Sequence, residues 1–184
     1  MAELVLEFDT HPGRTLTLAL FKDFSNAKEL RANMADGPDV ALMNAAVVVD
    51  TFAVQLAAHR ALAAETSGRM TTKTLHAELI YGMSGTKHVA ESFKRNGIND
   101  DSTALLLARF DCKPEEWSAL RLACVKELET LKSRVRGTQV PLAELASLTD
   151  TGLIDKYYKI TKEELKVRSR SDAVAFRIGT KDCA

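Results

Sequence analysis

Two short segments near the start of the chain alternate between apolar and other side chains, and a turn separates them. The alternating apolar positions are Leu4, Leu6 and Phe8 in the first segment and Leu16, Leu18 and Leu20 in the second. His11, Pro12 and Gly13 lie between the segments and are typical of a turn. Because a period of two places alternate side chains on one face of a sheet, the pattern predicts an antiparallel hairpin.

The middle of the chain reads mainly as helices with recognisable starts and stops. Ser25 is predicted to cap a helix that runs to about residue 35. Asp50 is predicted to cap a second helix over residues 51–66, which ends near Gly68. The second of these is rich in alanine, and small side chains allow another backbone to approach closely. Helices are also predicted after residue 73 and from about residue 87 to 96. The three valines at 47–49 read as a short buried strand or an extended approach.

The second half of the chain combines one strand with several helices. Residues 103–110 predict a central strand, and Pro114 begins a long amphipathic helix to about residue 135. Two short helices follow, at residues 141–148 and 149–158, and Thr161 with Glu164 has the spacing of a capping box. Residues 171–179 fit either a strand or a helix.

The order of these elements indicates the fold class. Strands and helices do not alternate regularly, which disfavours a doubly wound parallel sheet. The 184 residues, 46% of them hydrophobic and 27% charged, suffice for one folded domain. We therefore predict a single mixed α/β (α+β) domain over residues 1–184, with a small antiparallel sheet surrounded by helices.

Composition excludes several classes of protein. Lys and Arg total 25 and Asp and Glu total 25, so the chain is neither a basic nucleic-acid coat nor an acidic tail. No apolar run approaches the roughly 18 residues of a membrane span, and the acidic start predicts no signal peptide. Three cysteines without a CxxC pair favour a reducing compartment over a disulfide framework or a cysteine-rich zinc site.

Motifs for catalysis and metal binding are missing from the sequence. There is no HExxH, no GxSxG and no GxxxxGKS/T, so neither metal, cofactor nor nucleotide hydrolysis is predicted. Cys112 has no partner base in the sequence. Glu78 is predicted to bind the backbone of a neighbouring loop rather than to act as an acid or base.

The charge is unevenly distributed along this neutral chain. Residues 59–95 hold six bases against three acids, and residues 156–170 hold six bases against two. The bases of the first segment are Arg60, Arg69, Lys73, Lys87, Lys94 and Arg95; those of the second are Lys156, Lys159, Lys162, Lys166, Arg168 and Arg170. Either segment can be a solvated face or a phosphate-binding patch. Around residues 69–76, basic and hydroxyl side chains at a predicted helix start suit an anion, most simply a phosphate.

Several stretches resemble the TPRKB family. They are residues 50–61 (DTFAVQLAAHRA), 68–80 (GRMTTKTLHAELI) and 93–98 (FKRNGI), with the opening LALFKD at 18–23 and the closing GTKD at 179–182. The resemblance covers nearly the whole chain and is strongest over residues 42–110. Thr51 departs from the family pattern, where proline is common, as does the longer stretch at residues 113–123.

The resemblance implies a non-catalytic subunit of the EKC/KEOPS complex, which makes threonylcarbamoyladenosine beside the anticodon of tRNA. Such a subunit binds the atypical p53-related protein kinase subunit and helps to recruit tRNA through its 3′ CCA end, in the cytoplasm and nucleus. It meets the other subunits indirectly, and the family fold is a mixed α/β domain. We expect RNA contacts from Arg69, Lys73, Thr74 and His76, flanked by Arg60, Lys94 and Arg95. We expect kinase contacts around Val174 and Ile178 and on the alanine-rich helix.

Two other functions remain open at the level of sequence. The chain can be a purely structural kinase-binding regulator that does not touch RNA. It can also be a stand-alone small enzyme that uses Cys112 or Glu78, although neither residue has a visible catalytic partner.

Overall fold

A computed structural model describes residues 3–32, 39–110 and 119–183, with the backbone alone at residues 119–125 and 182. The strands are β1 (Glu3–Glu7), β2 (Thr15–Lys22), β3 (Ala41–Asn44), β4 (Leu105–Phe110) and β5 (Thr138–Val140). The helices are α1 (Ala27–Ala32), α2 (Thr51–Thr66), α3 (Leu75–Met83), α4 (Val89–Asn96), α5 (Ala119–Arg134), α6 (Leu145–Leu148), α7 (Thr151–Tyr158) and α8 (Arg170–Gly179). The predicted mixed α/β fold in a single domain is confirmed.

The five strands form one antiparallel sheet in the order β1, β2, β4, β3, with β5 paired to the far end of β2. The predicted hairpin is β1 and β2, and the predicted central strand is β4. On β2, Leu18 lies opposite Ala108 and Leu20 lies opposite Leu106 of β4. Alternate side chains of β2 and β4 therefore supply two separate apolar faces.

A hydrophobic core lies on each face of the sheet. Leu16, Leu18 and Leu20 point to the face that α2, α3, α7 and α8 cover. Ala19 and Phe21 point to the other face, which α1 and α5 cover. Within the described residues, no helix combines the length and the apolar character needed to cross a membrane.

Local capping signals position most helices where the sequence predicts them. The Asp50 carboxylate accepts a hydrogen bond from the Ala53 N–H at 2.8 Å and begins α2, and Thr74 begins α3 in the same way. Thr161 accepts from the Glu164 N–H, as the capping box predicts. The segment that fits both strand and helix is the helix α8, which Ser169 caps.

Residues 47–49 do not form a strand: Val47 ends a 3₁₀ turn over Ala45–Val47, which follows the strand Ala41–Asn44, and the extended alternative is confirmed at Val48. Ser25 does not cap α1, because its hydroxyl donates to the Arg136 carbonyl. The strand Thr138–Val140 was not anticipated at all. The predicted helix positions at 33–35 and 114–118 lie outside the described residues.

Candidate functional site

A pocket of about 390 Å³ opens between α2, α3 and the residues that follow α8. Arg60 and Arg69 line it from α2 and the loop after it, and Lys181 lines it from the C-terminal segment. Glu78 and Tyr81 of α3 form the opposite wall. Three cations against one carboxylate make the pocket electropositive, which suits an anionic ligand.

Hydrogen bonds to main-chain carbonyls fix two of these cations. The Arg60 guanidinium donates to the Gly179 carbonyl at 2.8 Å and so joins α2 to the end of α8. The buried Lys181 ammonium donates to the Tyr81 carbonyl and lies 3.2 Å from the centre of the Tyr81 ring. Arg69 is exposed, and its guanidinium donates to the neighbouring Ser67 hydroxyl at 3.2 Å. The pocket therefore combines fixed charge with one adjustable charge at its edge.

Glu78 organises the loop that leads into α3. One oxygen of its buried carboxylate accepts the Thr72 N–H at 2.7 Å and the Thr72 hydroxyl at 2.6 Å. The prediction that Glu78 binds the backbone of a neighbouring loop is confirmed. The carboxylate thus holds residues 69–74 beside the pocket.

Small residues let α2 and α3 approach closely, as the alanine-rich sequence of α2 predicts. A Cβ atom placed on Gly82 would lie 3.4 Å from the Ala57 carbonyl oxygen and 3.6 Å from the Ala57 Cβ. Side chains larger than a methyl group would push the helices apart. This close packing sets the width of the pocket between them.

Of the seven residues predicted to bind RNA, the structure brings Arg60 and Arg69 together in the pocket. Lys73 is exposed in the loop before α3, outside the lining. Thr74 lies beside it as the N-cap of α3, and its hydroxyl also donates to Asp39 at 3.1 Å. The RNA site predicted around residues 69–76 is therefore divided between a pocket edge and a helix cap.

His76 is buried, and its ring is engaged within the fold. Its Nε2 accepts the Phe110 N–H at 2.9 Å at the end of β4, and its Nδ1 lies 3.0 Å from an Asp39 oxygen. Burial raises the pKa of Asp39, whereas hydrogen bonds from His76 and Thr74 lower it. The lowering outweighs the effect of burial, so the pKa of Asp39 lies below its ordinary value. His76 therefore joins α3 to the sheet and is buried out of reach of RNA.

Lys94 and Arg95 lie on α4, which packs on α3 and does not line the pocket. Lys94 is exposed. Arg95 donates to Glu91 at 2.7 Å, one turn earlier on the helix. This hydrogen bond lowers the pKa of Glu91. These two cations belong to a separate surface.

Val174 and Ile178, the residues predicted to contact a kinase, are 1% and 0% exposed. They face the core beneath α8, so no partner can reach them while the core is closed. On the same helix Phe176 is 56% exposed, and Val167 just before it is 81% exposed. On the alanine-rich helix α2, Phe52 is 57% exposed. The two predicted elements therefore do expose apolar side chains, but at other positions.

Sequence reasoning missed Lys181 as a site residue. It follows α8 by two positions, and its contact partner Tyr81 lies 100 residues earlier in the chain. The resembling stretch at 179–182 includes it, and that was the only available signal. Cys112 lies outside the described residues, and among those described no cluster of three or more His, Cys, Asp or Glu could hold a metal ion.

Comparison with known proteins identifies the family. The sequence model of the kinase-binding protein CGI-121 family matches residues 21–182. The chain belongs to the CGI-121 family. The EKC/KEOPS complex subunit TPRKB of Danio rerio is 36% identical over 171 residues, covering 92% of this chain and 93% of the relative.

Fungal members of the CGI-121 family are similar over most of their length. The EKC/KEOPS complex subunit cgi121 of Neurospora crassa is 30% identical over 154 residues, covering 77% of this chain and 74% of the relative. The EKC/KEOPS complex subunit CGI121 of Candida glabrata is 25% identical over 169 residues, covering 91% and 90%. The resemblance noted from the sequence is thereby confirmed.

Proposed function

We propose that this CGI-121 family member is a non-catalytic EKC/KEOPS subunit that binds the atypical kinase subunit and helps to recruit tRNA for threonylcarbamoyladenosine modification. In this proposal it holds the 3′ CCA end of the tRNA and works in the cytoplasm and nucleus. The observation that carries the RNA part is the electropositive pocket formed by Arg60, Arg69 and Lys181. The names of the relatives support membership of the complex.

The chemistry of the pocket suits a single-stranded RNA end. Unpaired nucleotides offer phosphates to cations and base faces to guanidinium planes such as that of the exposed Arg69. The volume of about 390 Å³ falls within the ordinary range of small-ligand sites, so a terminal nucleotide rather than a helix fits inside. Arg69 at the rim would meet the phosphates that lead to the end.

Binding of intact and CCA-trimmed tRNA tests this assignment. We expect weaker binding after trimming, and we expect Arg69→Gln and Lys73→Glu to weaken binding of intact tRNA. Arg134→Gln is the matched control, because that residue is exposed on the opposite face of the sheet. Equal binding of intact and trimmed tRNA would refute recognition of the end.

The kinase part of the proposal rests on the exposed apolar side chains of α8 and α2. Protein interfaces have apolar, often aromatic, centres, and Phe176, Val167 and Phe52 are large hydrophobic side chains that water reaches. We place the kinase contact there rather than on the buried Val174 and Ile178. Phe176→Ser is expected to weaken capture of the purified kinase subunit, whereas Val89→Ser on α4, also exposed, is the control. If the Phe176 variant captured the kinase subunit as well as the wild type does, the kinase contact at Phe176 would be refuted.

A purely structural kinase binder without RNA contact is the competing function. A titration of tRNA binding against salt distinguishes the two, because phosphate contacts make the logarithm of affinity fall linearly with the logarithm of salt concentration. We expect a clear negative slope for this chain. Kinase binding with no measurable tRNA affinity at low salt would favour the structural role.

A further inference from the structure

The two locally basic segments of the sequence, which are far apart along the chain, meet in the structure at one contact. Arg95 of α4 donates to the Tyr157 carbonyl of α7 at 3.3 Å. The Arg95 guanidinium carbon also lies 5.3 Å from the centre of the Tyr157 ring, which gives a cation–π contact. The contact places the C-terminal end of α4 against the C-terminal end of α7, and residues 159–162 follow α7 directly.

Four exposed lysines lie on these two segments. Lys156, Lys159 and Lys162 are exposed, as is Lys94, and none of the four forms an ion pair with any residue that the structure describes. Lys159 ends α7 in a left-handed conformation (φ 54°) at its C-cap. We call Lys94, Arg95, Lys156, Lys159 and Lys162 the α4–α7 surface.

Nearby carboxylates are already neutralised by arginines. Both oxygens of Asp155 accept from Arg170, at 2.7 and 3.0 Å. Both oxygens of Glu164 accept from Arg177, at 2.8 and 2.7 Å, and these hydrogen bonds lower the pKa of Glu164. Glu163 is left as the exposed acid in this segment. The charge of the lysines is therefore directed at solvent.

The end of α3 connects the pocket to α7, which carries part of the α4–α7 surface. Gly82 lines the pocket, and the next residue, Met83, accepts a hydrogen bond from the buried Tyr158 hydroxyl. Burial raises the pKa of that hydroxyl, so it remains a donor. Tyr158 is the neighbour of Tyr157, which contacts Arg95. Buried contacts at the end of α3 thus link the two cationic regions.

We propose that the α4–α7 surface is a second contact site for tRNA, binding the phosphate backbone of the double-stranded region adjoining the 3′ end. This inference rests on the proposed function, in which the pocket holds the end itself. A sequence-independent grip of this kind needs spaced cations and no base-reading groups. A protein partner is disfavoured, because all five residues of this surface are cations, whereas the centres of protein interfaces are depleted of charged residues.

The test combines a triple substitution with a matched control. Lys156→Gln, Lys159→Gln and Lys162→Gln together remove three positive charges from the surface. Lys28→Gln, Lys126→Gln and Arg134→Gln together remove three exposed charges from α1 and α5, on the opposite face of the sheet. Circular dichroism and urea denaturation of the full-length chains would verify that both variants fold.

Binding of intact and CCA-trimmed tRNA to each chain is measured over a range of salt concentrations. We expect the surface variant to lose affinity for both tRNAs by the same factor. We also expect the negative slope of log affinity against log salt to become shallower by about 3, close to one per lysine. The control variant should leave the slope unchanged. By contrast, Arg69→Gln in the pocket should weaken the binding of intact tRNA and leave the binding of trimmed tRNA unchanged.

The possible failures are distinguishable. If trimming weakens binding but the surface variant keeps the wild-type slope, the second site is refuted and the proposed function stands. If trimming and Arg69→Gln have no effect while the surface variant loses affinity, recognition of the end is refuted and the phosphate contact is supported. Loss of kinase capture by the surface variant, with tRNA binding unchanged, would overturn the proposal in favour of an acidic protein partner.

Discussion

The hydrogen bonds between Thr72 and Glu78 offer a quantitative test of how the loop beside the pocket is held. Glu78 is 6% exposed, and one of its oxygens accepts both the N–H and the hydroxyl of Thr72. Hydrogen bonds to a charged group contribute about 1.5–3 kcal/mol, and neutral ones contribute roughly half as much. Glu78→Gln keeps the shape and an acceptor oxygen but removes the charge.

The expected magnitudes follow from that count of bonds. Glu78→Gln weakens two charge-assisted hydrogen bonds by about 1 kcal/mol each, so it should lower the free energy of unfolding by about 2 kcal/mol. Thr72→Val removes the hydroxyl donor and keeps the backbone donor, at a cost of about 1.5 kcal/mol. In a chain that already carries Glu78→Gln, the same Thr72 change should cost only about 0.5 kcal/mol, so the two substitutions should be coupled by about 1 kcal/mol.

Urea denaturation of the four chains of this double-mutant cycle, followed by far-UV circular dichroism, measures the coupling. Glu163→Gln is the control, because that carboxylate is exposed and its replacement should change the free energy of unfolding by less than about 0.5 kcal/mol. Additive effects within about 0.3 kcal/mol would refute the role assigned to Glu78.

Three further outcomes are expected. Gly82→Leu should destabilise the chain by about 1–3 kcal/mol because its side chain would enter the contact with Ala57, whereas Gly82→Ala should be tolerated; thermal denaturation that ranked them equally would contradict the packing. Ile154→Ala should cost about 2–5 kcal/mol in urea denaturation, since the side chain is fully buried, and a smaller loss would show that the core closes around the cavity. Because Glu164 and Asp39 have lowered pKa values in the folded chain, their contribution to stability is complete above their ordinary values of 4.5 and 3.8 and is lost as the pH falls through the folded values; a Glu164→Gln chain whose urea midpoint fell as steeply in acid as that of the wild type would contradict this.

Elements with strong local signals were predictable from the sequence. The hairpin of β1 and β2 follows from a period-two pattern on both sides of a turn, and α2 follows from the Asp50 cap and a C-terminal glycine. In each case neighbours along the chain supply the hydrogen bonds and the pattern. The same holds for Glu78, which reaches a residue only six positions away.

Elements defined by their partners were not predictable. The four residues of β3 are a strand because Ala41–Asn44 pair with β4, and the three residues of β5 because they pair with the end of β2. Both are too short to carry a period of their own. The sequence at 171–179 fits a strand and a helix equally well, and packing of Ala173, Val174 and Ile178 against the core accompanies the helical form.

The sequence by itself determined the fold class, the capped helices, the family and the presence of two basic segments, because these depend on residue order and local chemistry. Only the tertiary structure decided which cations share a surface. It placed Lys181 beside Arg60 and Arg69, put His76, Val174 and Ile178 out of reach of a partner, and joined Arg95 to Tyr157. Which face a side chain presents, and which distant residue it meets, depends on the elements that pack around it, and no local pattern records that packing.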